Sequence, residues 1–106
     1  MQKEFLCDIQ DLKTQDYIIV PIEKFKDEFI ILLSPNEEIK IFSSICPHFG
    51  GEIIFDKKNQ YLTCKWHAYK YSSNDGKCIT YPKNITNLRE YSSLIKEGKV
   101  FLVVDE

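Results

Sequence analysis

Two pairs of metal-binding side chains stand out in the sequence. A CPH segment supplies Cys46 and His48, and a CKWH segment supplies Cys64 and His67. These pairs contain both histidines of the chain, and chance would rarely place each histidine two or three residues after a cysteine, so two ordinary core histidines are a weak alternative. Thiolates and imidazoles are the ligands of zinc and of iron-sulfur centres. The spacing therefore predicts a metal site.

The distribution of ligand types separates these two kinds of centre. Zinc fingers usually take two cysteines from one element and two histidines from another, whereas here each segment contributes one of each. If two equivalent loops face each other, both thiolates reach one metal and both imidazoles reach its neighbour, which is the ligation of a two-iron centre with mixed ligands. A structural zinc domain stays the alternative, and it would be colourless where an iron-sulfur protein is red-brown.

The segments around the two pairs resemble the cluster loops of Rieske proteins. CPHFGG begins at Cys46, CKWHAY begins at Cys64, and the downstream DGKC and YP segments resemble the turn, cysteine and proline loop of Rieske ferredoxins and of the Rieske domains of ring-hydroxylating oxygenases. The resemblance implies a [2Fe-2S] cluster bound by Cys46, His48, Cys64 and His67. It also implies an all-β fold, with an antiparallel sandwich or barrel base. A cluster-binding subdomain at about residues 43–83 would be inserted into that base, within a single domain of residues 1–106.

The sequence departs from the high-potential respiratory Rieske proteins in ways that bear on its class. Those proteins carry an extra cysteine in each loop, joined by a disulfide, where this chain has Gly51 and Trp66. These absences favour a reduction potential at the low end of the range of Rieske proteins. Cys7 and Cys78 are interpreted as small buried residues and not as ligands.

Strands are the elements predicted to position these loops. Short runs rich in β-branched and aromatic residues predict strands at 17–20, 29–33, 39–42, 60–63 and 100–104. Turn residues at 34–37, 73–76 and 97–99 separate or precede strands, and a short helical turn is plausible at 8–13. Regular strand spacing with such turns indicates a small antiparallel sandwich or barrel.

Composition narrows the classes of function. A chain of 106 residues with 43% hydrophobic content has one modest core and little room for a substrate pocket, so no catalytic residues are predicted. No apolar run approaches the roughly 20 residues that a bilayer requires, and Lys3, Glu4 and Asp8 interrupt the N-terminal segment. A cytoplasmic protein without a membrane partner is expected.

Charge is distributed unevenly along the chain. Residues 46–83 contain six lysines and three acidic residues, although the whole chain has a net charge of −2. This excess is too small to favour nucleic acid as a partner. It predicts docking to an acidic protein surface, with Lys65 beside His67 as the foremost contact.

These observations predict a small one-electron carrier. The resemblance implies that it accepts electrons from a flavin-dependent ferredoxin reductase and passes them to a terminal oxygenase or another redox enzyme. An alternative is a small Rieske subunit of a larger oxidoreductase complex, which would be isolated together with a large partner chain.

Overall fold

The computed structural model describes residues 2–45, 52–65, 69–80 and 87–104. Strands predominate in these ranges, and the helical segments are short. In chain order the elements are β1 (Gln2–Asp8), α1 (Ile9–Thr14), β2 (Tyr17–Ile22), a 3-10 turn (Glu23–Phe25), β3 (Asp27–Leu33), β4 (Ile39–Ser43), β5 (Ile53–Asp56), β6 (Tyr61–Cys64), β7 (Lys70–Ser72), β8 (Glu90–Lys96) and β9 (Lys99–Val104). No helix within the described ranges has both the length and the apolar character needed to cross a membrane.

The larger sheet is antiparallel and barrel-like. Its strand order is β1-β9-β8-β4-β3-β2, so the two ends of the chain contribute neighbouring strands. The last hairpin turns at Glu97 and Gly98, whose φ angles of 53° and 75° suit the tight turn that joins twisted strands. The predicted all-β antiparallel fold is confirmed.

The smaller sheet contains β5, β6 and β7 in that order. Backbone hydrogen bonds attach it to the larger sheet through Ser44, which is fully buried. The Ser44 N–H donates to the Glu28 carbonyl at 2.8 Å, and the Ser44 carbonyl accepts from the Ile53 N–H at 2.7 Å. The smaller sheet is thus joined directly to β3 at the point where β4 ends.

Strand β3 lies between two groups of core residues. Its successive side chains point to opposite faces, so Ile30 and Leu32 pack with Phe42 against the smaller sheet, while Phe29 and Ile31 face the interior of the larger sheet. All four β3 side chains are almost completely buried. Each such burial stabilises the fold by about 2 kcal/mol, which explains why residues 29–33 of β3 are all apolar, without polar alternation.

The β5–β6 turn defines one end of the smaller sheet. The Asn59 side-chain amide donates to the Asp56 carboxylate at 2.8 Å and its backbone N–H donates at 3.2 Å. These bonds, led by the side-chain one, lower the pKa of Asp56. Gln60 closes the turn at a φ of 59°, so β6 begins at Tyr61 and not at residue 60 as predicted.

Candidate metal centre

Cys64 lies at the end of β6, where the second predicted ligand loop begins. Its side chain is 0% exposed and packs in the core group that contains Leu62 and Tyr71. Across the sheet it is paired with Ile53 of β5. The other predicted ligands, Cys46, His48 and His67, lie outside the described residues.

The first ligand loop leaves and rejoins the fold at two residues that are paired with each other. Ile45 and Glu52 form an isolated antiparallel bridge, and Cys46 and His48 belong to the chain segment between them. The bridge therefore holds Ile45 and Glu52, the residues on either side of this segment, next to each other.

The second loop is closed by a backbone hydrogen bond to Cys64, the last residue of β6. The Cys64 N–H donates to the Tyr69 carbonyl at 3.0 Å, so the chain returns to β6 within five residues. His67 belongs to this short return. A single backbone hydrogen bond therefore joins Cys64 and Tyr69, the two residues between which this loop lies.

Glu52 and Lys65 join the bases of the two loops. The Lys65 N–H donates to the Glu52 carbonyl at 3.0 Å, and the Lys65 ammonium lies 3.3 Å from the Glu52 carboxylate. The residue that ends the first loop is therefore bonded to the residue that follows Cys64. Sequence reasoning missed Glu52, because a backbone contact set by strand register has no residue-type signal.

The segment after the second loop is fixed from two sides. The Lys70 carbonyl accepts from the Ile79 N–H at 2.8 Å, and the Lys70 N–H donates to the Thr80 hydroxyl oxygen at 2.9 Å. The Asn87 side-chain carbonyl accepts from the Cys78 N–H at 2.8 Å. These bonds attach β7 to residues 79–80 and attach Cys78 to the segment before β8.

The remaining cysteines are buried as predicted. Cys7 lies in the core of the larger sheet, where burial, and after it the charges of Asp11 and Asp8, raise the pKa of its thiol to about 11. Its thiol therefore stays protonated at neutral pH. Cys78 is 4% exposed and lies in the same core group as Cys64.

The predicted basic surface is divided between two ends of the smaller sheet. Lys57 and Lys58 lie in the β5–β6 turn, at the opposite end of β6 from Cys64. Lys65 lies at the loop end, but its charge is paired with Glu52. Lys57 and Lys58 therefore lie away from the loop end of β6, and docking through the basic segment stays a prediction.

Cys64 is the predicted metal ligand whose surroundings the structure describes. The described ranges contain no cluster of three or more His, Cys, Asp or Glu side chains arranged to hold a metal ion. Cys64 offers a buried sulfur at the start of a short loop whose base is bonded to the other loop. Cysteine sulfur at such a position fits a [2Fe-2S] centre with thiolate and imidazole ligands.

Comparisons with known proteins agree with this geometry. The family model of the Rieske [2Fe-2S] domain matches residues 2–92. The oxygenase component of a 3-ketosteroid-9-alpha-monooxygenase from Rhodococcus rhodochrous is 26% identical over an 87-residue alignment that covers 76% of this chain and 22% of the relative. The chain thus spans about a fifth of the length of that relative.

Two solved structures share the fold. The cyanobacterial plasma membrane Rieske protein of Synechocystis PCC 6803 aligns with a TM-score of 0.81 and 19% identity over 94% of this chain and 98% of its own. The ferredoxin of Sphingomonas yanoikuyae B1 aligns with a TM-score of 0.78 and 18% identity over 98% of this chain and 100% of its own. Together with the match over residues 2–92, these results show that the chain belongs to the Rieske [2Fe-2S] domain family, which implies a [2Fe-2S] cluster.

Proposed function

We propose that this protein is a one-electron carrier whose [2Fe-2S] cluster is held by Cys46, His48, Cys64 and His67. The observation that carries the proposal is the hydrogen bond from the Lys65 N–H to the Glu52 carbonyl, because it places the bases of the two ligand loops side by side. When bound, such a cluster accepts and returns one electron at a potential between about −150 and +300 mV.

The protein's own residues position the ligands and keep water away from Cys64. The core side chains of Ile53, Leu62 and Tyr71 surround the end of β6 and are fully buried. The Ile45–Glu52 bridge and the Cys64–Tyr69 hydrogen bond close the two loops. Because these bonds hold the residues on either side of each loop, the loop ends would move little when the cluster gains or loses an electron. No residue is proposed to be catalytic.

The proposed domain organisation follows the same elements. Residues 1–106 would form one Rieske domain, with residues 43–83 as the cluster-binding subdomain. Strands β5, β6 and β7 support this division, since they form a sheet of their own between β4 and β8. A cytoplasmic location stays a prediction.

The proposed partners are a flavin-dependent ferredoxin reductase as donor and a terminal oxygenase or another redox enzyme as acceptor. The alternative is a Rieske component of a larger oxidoreductase, and the 3-ketosteroid-9-alpha-monooxygenase relative favours it, because this chain matches 22% of that protein. Isolation from the native source distinguishes the two. A carrier elutes alone in size-exclusion chromatography, whereas a component elutes with a large partner chain.

An anaerobic redox titration followed by EPR tests the proposed electron transfer. We expect each chain to take up one electron, to give the EPR signal of a reduced [2Fe-2S] centre, and to return that electron to an oxidised acceptor. A chain that takes up no electron between −400 and +400 mV, limits chosen to enclose the range of about −150 to +300 mV for this class, would contradict the proposal.

A further inference from the structure

A groove of about 440 Å³ lies beside the entry to the first ligand loop. It is formed where β2 turns into β3, so that cross-strand pairs supply its walls, and Ile45 closes it on the side of the loop. Its lining residues are Pro21, Ile22, Glu23, Lys26, Asp27, Glu28 and Ile45. Ile45 is the last described residue before Cys46.

The walls of the groove carry carboxylates without ion-pair partners. In the ranges that the structure describes, no Lys or Arg nitrogen lies within 4.0 Å of a carboxylate oxygen of Glu23, Asp27 or Glu28. Lys26 is the one basic residue of the lining. The groove is therefore net negative and offers its charge to a ligand from outside.

Hydrogen bonds hold two of these carboxylates in place. The Asp27 carboxylate accepts from the Ser43 hydroxyl at 3.1 Å and from the Glu28 N–H at 2.8 Å. The Glu28 carboxylate accepts from the Ser44 hydroxyl at 3.4 Å. Side chains that are already oriented lose less conformational entropy when a cation binds.

The floor of the groove is apolar. It is formed by Pro21, Ile22 and Ile45, and both isoleucines are only partly buried. Pro21 lies on β2, the terminal strand of the larger sheet, where a proline hinders the addition of another strand. An occupant would therefore insert side chains and not extend the sheet. A long basic side chain fits, because its methylene stem covers apolar surface while its head meets a carboxylate.

A short series of backbone contacts links Glu28, at the groove, to Cys64. The Glu28 carbonyl accepts from the Ser44 N–H, the Ser44 carbonyl accepts from the Ile53 N–H, and Ile53 is the cross-strand neighbour of Cys64. A protein seated in the groove would thus lie beside the bases of the predicted ligand loops, close to the site that an electron-transfer partner has to approach.

We infer that this groove is the docking site for a basic surface segment of the redox partner, which inserts Lys or Arg side chains between the carboxylates and over Pro21, Ile22 and Ile45. The inference rests on the proposed electron-carrier function. It assigns to the partner a charge opposite to the one expected from the lysine-rich segment, because Lys65 is paired with Glu52 whereas the groove carboxylates have no ion-pair partner among the described residues.

The test uses cytochrome c as a basic, one-electron protein probe. Isothermal titration calorimetry at low salt measures its binding to the intact protein, to a Glu23→Gln/Glu28→Gln double variant, and to a Glu37→Gln/Glu97→Gln double variant. The control carboxylates are exposed, have no ion-pair partner among the described residues, and lie outside the groove. Both double variants change the net charge equally.

We expect the groove variant to weaken binding about tenfold and the control variant to weaken it by less than about twofold, since local charges contribute more than distant ones. Added salt should reduce the difference. Equal weakening by both variants, or none by either, would overturn the inference. Calorimetry does not depend on electron transfer, so a failed redox titration with groove-dependent binding would refute the proposed function and retain the docking site.

Discussion

Replacement of Cys64 by alanine is expected to abolish the [2Fe-2S] centre. Cys64 is the predicted ligand that the structure describes, and it lies fully buried at the point where β6 passes into the second loop. Loss of one of the two thiolates leaves an iron one ligand short, and no other described cysteine lies on this strand. Iron and acid-labile sulfide in the purified variant should fall to background, and its visible absorption should disappear.

Cys78→Ala is the matched control for this experiment. Cys78 is 4% exposed and belongs to the same core group as Cys64, so both substitutions remove one sulfur from one buried environment. We expect Cys78→Ala to retain the full content of iron and sulfide. Loss of the cluster in both variants would show that packing and not ligation explains the result, and retention of the cluster in Cys64→Ala would exclude Cys64 as a ligand.

Gly76→Ala should destabilise the folded protein by on the order of 3 kcal/mol. Gly76 has a φ of 79°, which a residue with a Cβ rarely adopts. A Cβ there would lie 2.5 Å from the Leu88 carbonyl oxygen and 3.0 Å from Cε1 of Phe42. The backbone cannot yield easily, because the Leu88 N–H donates to the Gly76 carbonyl at 2.8 Å. Urea unfolding of the cluster-loaded protein, followed by circular dichroism, measures the loss.

Gly98→Ala separates the two causes of this effect. Gly98 has a φ of 75°, close to that of Gly76, but the nearest atom to its added Cβ would be Cγ2 of Ile9 at 3.9 Å. Gly98→Ala should lower the free energy of unfolding by about 1 kcal/mol, because only the backbone conformation is unfavourable there. Equal destabilisation by the two variants would show that the close approach to Leu88 and Phe42 contributes nothing.

The strongest strand patterns could be recognised in the sequence because their side chains are buried on one or both faces. The predicted runs at 29–33 and 39–42 are confirmed as β3 and β4. The sequence analysis missed β1, β5, β7 and β8. Strand β8 contains two serines and presents mostly exposed side chains, and β7 is only three residues long, so neither has a marked apolar pattern.

The sequence proposes ligands for the site but does not indicate the residues that support them. The paired spacing of cysteine and histidine pointed to Cys64, whose role as a ligand stays a prediction and whose N–H closes the second loop through the Tyr69 carbonyl. The contact between Glu52 and Lys65 depends on the register of β5 and β6, which residue types alone do not specify. The sequence likewise does not indicate the acidic groove, because Ile45 lies beside the β2–β3 turn only in the folded chain and about twenty residues separate them in the sequence.

Chemical analysis of the purified, untreated protein tests the central claim most directly. Iron, zinc and acid-labile sulfide are measured on one sample together with its EPR spectrum after reduction. We expect two iron and two sulfides per chain, a red-brown solution and the EPR signal of a reduced [2Fe-2S] centre. One zinc per chain, with a colourless solution and no labile sulfide, would contradict the account.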